Sequence, residues 1–224
     1  MSTMTLEAQT AEKRIVHLLV AMALKVEVAV DQAIGALLNS GTQTVSGILQ
    51  QEDAINEMEV TIDRAIFAAL EQGELSPKEI RPIASALKIN KDLERLGDLA
   101  ASIGRKVSQS GEHRQPRDYS ELQPLAIAVS HVCRQTLRAL TRQDLVLANN
   151  VLRSGAAVDD YRNYVFRRLR ERAATPGPRE GDVHLMFASR YLEQIADHAV
   201  NLAEKLVTFL NEKQGGRRSR QLAS

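Results

Sequence analysis

Tryptophan is absent from the 224 residues, aromatic side chains make up only 4% of them, and there is a single cysteine, Cys133. One thiol forms no intrachain disulfide and no multi-cysteine metal motif, which fits a reducing compartment. Charge of one sign is also lacking: the formal net charge is +1, with basic residues interspersed among acidic ones. Such a surface has no general pull on polyanions, so nucleic acid is not an expected partner. Long apolar runs are missing too. The stretch from Ile15 to Leu24 is interrupted by His17 and stopped by Lys25, too short to span a bilayer. The residues before it include Glu7 and Glu12 and lack a small-residue cleavage pattern, unlike a signal peptide. The expected location is the cytoplasm, without membrane insertion; any membrane role would run through a partner. Finally, the chain has no Gly-Lys phosphate loop, no Gly-x-Gly-x-x-Gly, no Gly-x-Ser-x-Gly and no His-Glu-x-x-His. These absences remove the common enzyme signatures. The missing Glu-x-x-His pair also weakens a ferritin-like oxidase or storage reading.

What is present points to packed helices. Hydrophobic residues are 44% and charged residues 25% of the chain, enough for a core, and Ala, Leu, Arg, Glu and Gln are plentiful. The fold class is all-α. From Thr5 to Asn39 apolar positions such as Ile15, Leu18, Leu19, Met22, Val26, Ala29, Ala33 and Leu37 recur at steps of three and four, which predicts one long amphipathic helix. Ser40-Gly41 breaks it, and Val45, Ile48, Leu49, Ile55, Met58, Ile62, Ile66 and Leu70 mark a second helix ending at Gly73. Ser76-Pro77-Lys78-Glu79 places Ser at the N-cap, Pro at the first helical position and Glu at the third, a reciprocal capping box opening a third helix. Pro82 lacks a donor, so this helix is kinked there or becomes regular only near Ile83. A polar, Gly- and Pro-containing linker, Ser110 to Asp118, follows it. The order then repeats: a helix from about Tyr119 to Arg142, one from about Asp144 to Ala174, a Thr175-Pro176-Gly177-Pro178 break, and a last helix to about Lys213. The division expected is residues 1–110 and 119–214 as two pseudo-symmetric three-helix bundles, with 215–224 a disordered basic tail.

The duplication reaches single residues. Leu93-Glu94-Arg95-Leu96-Gly97-Asp98-Leu99-Ala100 matches Leu192-Glu193-Gln194-Ile195-Ala196-Asp197-His198-Ala199 at a constant offset. A repeat this long suits a duplicated small bundle rather than a solenoid. Four helical residues advance a side chain by about 400°, so Glu94 and Asp98 are neighbours one turn apart, as are Glu193 and Asp197. Like charges there repel unless a cation, or an arginine such as Arg95, neutralises them. Asp53 and Glu57 in the second helix are again one turn apart, and Glu57 aligns with Asp160 in the fifth, beside Asp159. Carboxylate oxygens without thiolates suit Mg²⁺, Mn²⁺ or Fe, with Zn²⁺ also open. The alternative for all these carboxylates is a solvated helix face. His198 aligns with Leu99, which favours a partly buried histidine over a ligand. Arg162, Arg167, Arg168, Arg170 and Arg172 make the fifth helix locally basic. Cys133 fills an aliphatic gap in the fourth.

Ala86-Leu87-Lys88-Ile89-Asn90-Lys91-Asp92-Leu93-Glu94-Arg95-Leu96-Gly97-Asp98 resembles the third-helix segment of PhoU proteins, and Tyr191 to Glu204 resembles the family's second copy. The resemblance covers nearly the whole chain, including the second-helix segment Asp53 to Glu59 and its counterpart Val158 to Tyr161. It implies a metal-binding, non-enzymatic negative regulator of phosphate uptake and phosphate-starvation signalling. Its implied partners are the ATPase subunit of a phosphate ABC transporter and a sensor histidine kinase, and its implied assembly is a homodimer. Glu94, Asp98, Glu193 and Asp197 inherit the ligand role for Fe, Zn, Mg or Mn, with Asp53, Glu57 and Asp160 as weaker candidates. Gln194 and Ala196 depart from the Arg and Gly usual in the second motif, and Ser102 stands where Asn is common. Two other readings of the same residues are a metal-dependent enzyme or storage bundle and an accessory to an ion-coupled phosphate transporter.

Overall fold

The computed structural model describes residues 2–39, 45–71, 76–109, 122–173 and 180–221. They form six helices: α1 (Ser2–Asn39), α2 (Val45–Glu71), α3 (Pro77–Gln109), α4 (Gln123–Arg142), α5 (Leu145–Ala173) and α6 (Glu180–Gln221). The expected breaks at Ser40-Gly41, at Gly73 and at Thr175 to Pro178, and the linker Ser110 to Asp118, lie outside the described residues.

Local chemistry sets several of the ends. At the start of α3 the Glu79 carboxylate accepts hydrogen bonds from the Ser76 backbone N–H (3.0 Å) and hydroxyl (2.7 Å). The Ser76 carbonyl accepts from the Glu79 and Ile80 amides at 2.9 and 3.0 Å. The arm of the expected capping box that runs from the Glu79 carboxylate to the Ser76 amide is therefore formed. The helix also continues regularly across Pro82, whose buried ring lies inside α3. Between α4 and α5 the chain turns on Gln143, at φ 51° and ψ 43°. The Gln143 amide donates to Leu140 O (3.1 Å) and the Asp144 amide to Ala139 O (2.9 Å), a Schellman closure. Asp144 Oδ1 then accepts from the Leu147 amide at 2.9 Å and caps α5. The tail expectation is corrected: α6 continues to Gln221 rather than fraying after Lys213, since each residue added to an existing helix gains one backbone bond.

Packing follows the duplication. Helices α1, α2 and α3 contact one another, as do α4, α5 and α6, and the two triplets meet through α1 with α4 and α3 with α6. Both junctions join equivalent helices, as a pseudo-two-fold relation requires. Asp92 with Lys205 and Ser85 with Glu212 match early α3 with late α6, so these two helices are antiparallel. At the other junction Arg134 donates to Asp31 Oδ2 from Nε (3.2 Å) and Nη2 (2.9 Å). The buried Thr136 hydroxyl contacts Val132 O (3.0 Å) and Ala199 O (3.2 Å), tying α4 to α6.

The first triplet is drawn tight where α2 crosses α3. Ile48, Ile55, Ile62 and Ile66 are fully buried. A Cβ on Gly97 would stand 3.0 Å from Ile55 Cδ1 and 3.1 Å from Ile55 Cγ2. The aligned residue in α6 is the buried Ala196, so the second triplet already accommodates a methyl at this level. Gly97→Ala gains about 1 kcal/mol of helix propensity but overpacks the crossing by about 1–3 kcal/mol. The expected net loss, about 1 kcal/mol, is measurable by urea denaturation.

Candidate functional site

The α2 face that meets α3 is set by helical phase. Steps of three and four join Glu52, Ile55, Glu59, Ile62 and Ile66, so the acids on this stripe flank the isoleucines that pack on α3. Glu52 takes a two-armed contact from Arg105, at 2.7 and 2.9 Å. Glu59 is bonded by Lys91, and Asp63 Oδ1 accepts from Asn90 Nδ2 at 2.9 Å. Asn90 is wholly buried, its amide also donates to Glu59 O at 3.1 Å, and its Oδ1 has no hydrogen-bond partner.

Glu94 and Asp98 stand half-buried beside this network. Arg95 Nη1 approaches Asp98 Oδ2 only to 3.7 Å, beyond hydrogen-bonding range. Burial, and next the charge of Asp98, hold the Glu94 carboxyl above its ordinary range; Lys91 opposes the shift and Glu59 adds to it. The Lys91 ammonium is raised chiefly by its hydrogen bond to Glu59. Burial and the neighbouring Asp98 charge thus disfavour the ionised form of Glu94, a penalty that an added cation beside the two carboxylates would relieve.

The second half is wired differently. Glu193 accepts from Arg190 at 2.9 Å, and its side chain is only 13% exposed. Arg190 aligns with Lys91, which reaches across to Glu59 on α2. The α5 residue aligned with Glu59 is Arg162, so α5 presents no acid at that level, and Arg190 pairs within α6. Asp197 is exposed.

Asp53, Glu57 and Asp160 do not join either pair. All three are exposed. Glu57 is two residues from both Ile55 and Glu59, about 200° around the helix from each, and so faces away from α3. The acids that do face α3 are Glu52, Glu59 and Asp63. Their signal in the sequence was their phase with Ile48, Ile55 and Ile62, rather than one-turn spacing to another acid.

His198 belongs to the α3–α6 junction: its Nδ1 is buried without a hydrogen-bond partner, 3.7 Å from Asp92 Oδ1. Cys133 is buried, and burial, reinforced by the charges of Asp31 and Glu27, pushes its thiol up to about 12, leaving it unreactive.

Among the described residues no three His, Cys, Asp or Glu side chains converge into a closed metal cage. Two adjacent carboxylates on an accessible face fit instead a hard cation that keeps most of its own waters. Among the described residues no helix is long and apolar enough to cross a membrane.

Comparison with known proteins gives a consistent result. The PhoU domain model matches residues 19–107 and 125–206, one segment in each helix triplet. A Pseudomonas aeruginosa protein described as a phosphate-specific transport system accessory protein PhoU homolog is 32% identical, over 87% of this chain and 80% of that one. A Pseudomonas putida protein of the same description is also 32% identical, over 87% and 76%. The crystal structure of PhoU from Pseudomonas aeruginosa superposes with a TM-score of 0.82 at 29% identity, covering 91% of this chain and 98% of that one. The phosphate transport system regulatory protein PhoU from Streptococcus pneumoniae has a TM-score of 0.76 at 19% identity, covering 92% and 96%, and so shares the fold.

Proposed function

The chain belongs to the PhoU family, whose members are regulatory and accessory proteins rather than enzymes, and from that premise we propose that it is a negative regulator of phosphate uptake and of phosphate-starvation signalling. The observation that carries the reading is the family match in both helix triplets, together with relatives described as phosphate-transport accessory proteins. In this reading the protein acts in the cytoplasm as a homodimer. It links the ATPase subunit of a phosphate ABC transporter to a sensor histidine kinase through helix surfaces. Mixing the purified chain with that ATPase subunit should give a complex in sedimentation velocity; free components at every ratio would remove the ATPase link.

Glu94 and Asp98 would hold a metal ion, with Glu59 and Asp63 behind them adding negative potential. The bound charge would relieve the repulsion within the pair and fix the α2–α3 surface for a partner. Mg²⁺ or Mn²⁺ suits two carboxylates and retained waters better than Zn²⁺, which prefers four protein ligands; Fe fits through its taste for oxygen. At Glu193 and Asp197 a metal must first displace Arg190, so this second site should be the weaker. Titrating Mn²⁺ into protein stripped of metal should show two unequal affinities. Glu94→Ala with Asp98→Ala should abolish the tighter one, and Glu193→Ala with Asp197→Ala only the weaker. Equal affinities would contradict the asymmetry.

A further inference from the structure

Helix α4 is one-sided in charge. Its sequence holds His131, Arg134, Arg138 and Arg142 and no acidic residue. The three arginines stand four residues apart, so they are neighbours on one face, where like charges repel. Among the described residues only Arg134 of the three has an acidic partner, Asp31 of α1. That contact uses part of the guanidinium: Nε and Nη2 both donate to Asp31 Oδ2, and Nη1 has no partner among the described residues. Asp31 thus fixes the plane of the Arg134 guanidinium and leaves its outer edge for another acceptor.

Beside this stripe runs a groove of about 360 Å³ between α1 and α4. Lys213 bonds both Glu12, early in α1, and Gln143, just past α4, so the two helices are antiparallel. From the level of Asp31 and Arg134, Ile34 and Leu38 therefore follow α1 toward Ala126 and Ile127. This half of the groove is apolar, and Ile127 is 62% exposed in it. The other half is lined by His131, Arg134, Gln135 and Arg138, and no carboxylate lines either half. Among the described residues the side chains of His131, Gln135 and Arg138 have no hydrogen-bond or ionic partner.

We propose that this groove binds a small phosphate monoester, with the phosphate between Arg134 and Arg138 and the apolar body along Ile34, Leu38 and Ile127. Two guanidinium groups one turn apart suit a dianion with several oxygens better than a single carboxylate, and His131 and Gln135 add ring N–H and amide donors. The bound dianion also removes the repulsion within the arginine stripe. The volume and the apolar half select an ester over inorganic phosphate, which fills little of the groove and leaves Ile127 in water. A ligand here spans α1 and α4, one of the two junctions between the triplets. The inference rests on neither the metal pair nor the transporter.

Isothermal titration calorimetry of the metal-free chain with n-hexyl phosphate and with inorganic phosphate, at constant ionic strength, tests it. The ester should bind at one saturable site, at least about tenfold more tightly than inorganic phosphate, because several methylene groups leave water. Arg138→Gln should weaken the ester at least about tenfold, since it removes charge-assisted hydrogen bonds. Ile127→Ser should weaken the ester and leave inorganic phosphate unchanged. Arg167→Gln, on the basic α5, is the control and should alter neither. All three positions are exposed, and circular dichroism checks that the variants fold. Inorganic phosphate bound as tightly as the ester, or an Ile127→Ser chain that binds the ester as the native chain does, would overturn the ester as ligand. Absence of saturable binding, an Arg138→Gln affinity equal to the native one, or equal losses in Arg138→Gln and Arg167→Gln would overturn the groove as the site.

Discussion

Lys205→Met should lower folding stability by about 2 kcal/mol, while Asp92→Asn should cost clearly less. Lys205 and Asp92 are bonded across the α3–α6 junction, where the Asp92 side chain is 8% exposed and that of Lys205 34%. Losing the lysine strands a carboxylate in the seam between the two triplets, with His198 Nδ1 at 3.7 Å as a nearby counter-group. Losing the carboxylate leaves an ammonium that already reaches water. Breaking a fully buried pair costs about 3–5 kcal/mol, and the exposure of Lys205 reduces that here. Urea denaturation of both variants at neutral pH gives the comparison. Equal losses, or none, would mean that the junction is held by its apolar contacts alone.

The carboxylate pair predicts the second large effect. Because the folded-state pKa of Glu94 is raised above its ordinary 4.5, the stability tied to its protonated form is fully present below that value. It is lost as pH rises through the raised pKa. At pH 7, without metal, Glu94→Gln should therefore be more stable than the native chain, by about 0.2–0.5 kcal/mol for relief of a one-turn like-charge pair, and this advantage should vanish near pH 4. Saturating metal reverses the order. A cation present at one hundred times the dissociation constant of the tighter site stabilises the native chain by about 2.7 kcal/mol through that site and Glu94→Gln only by the smaller contribution of the weaker Glu193 and Asp197 site. Thermal melts of both proteins with and without Mn²⁺ at pH 7 separate the outcomes. An unchanged native melting temperature at saturating Mn²⁺ would dismiss the pair as a cation site.

The six helices and their two-fold repetition were legible because aliphatic periodicity and the Ser76–Glu79 sequence act locally. The partners of the acidic residues were less so. One-turn spacing places Asp53 and Glu57 together, but it does not say which side of α2 they occupy. That side is decided by Ile48, Ile55 and Ile62, which turn Glu52, Glu59 and Asp63 toward α3 and leave Glu57 in solvent. The difference between the two carboxylate pairs was hidden for another reason. Glu94 and Glu193 align perfectly, and only the cross-helix partners of Lys91 and Arg190 distinguish them. The continuation of α6 to Gln221 through Gly215 and Gly216 ran against local propensity.

The central claim, that this chain restrains phosphate uptake, is tested most directly in cells grown with ample phosphate after its gene is removed. Phosphate uptake should rise and a phosphate-starvation reporter should switch on, with both restored by the native gene. Uptake and reporter indistinguishable from those of the parent strain would contradict the account.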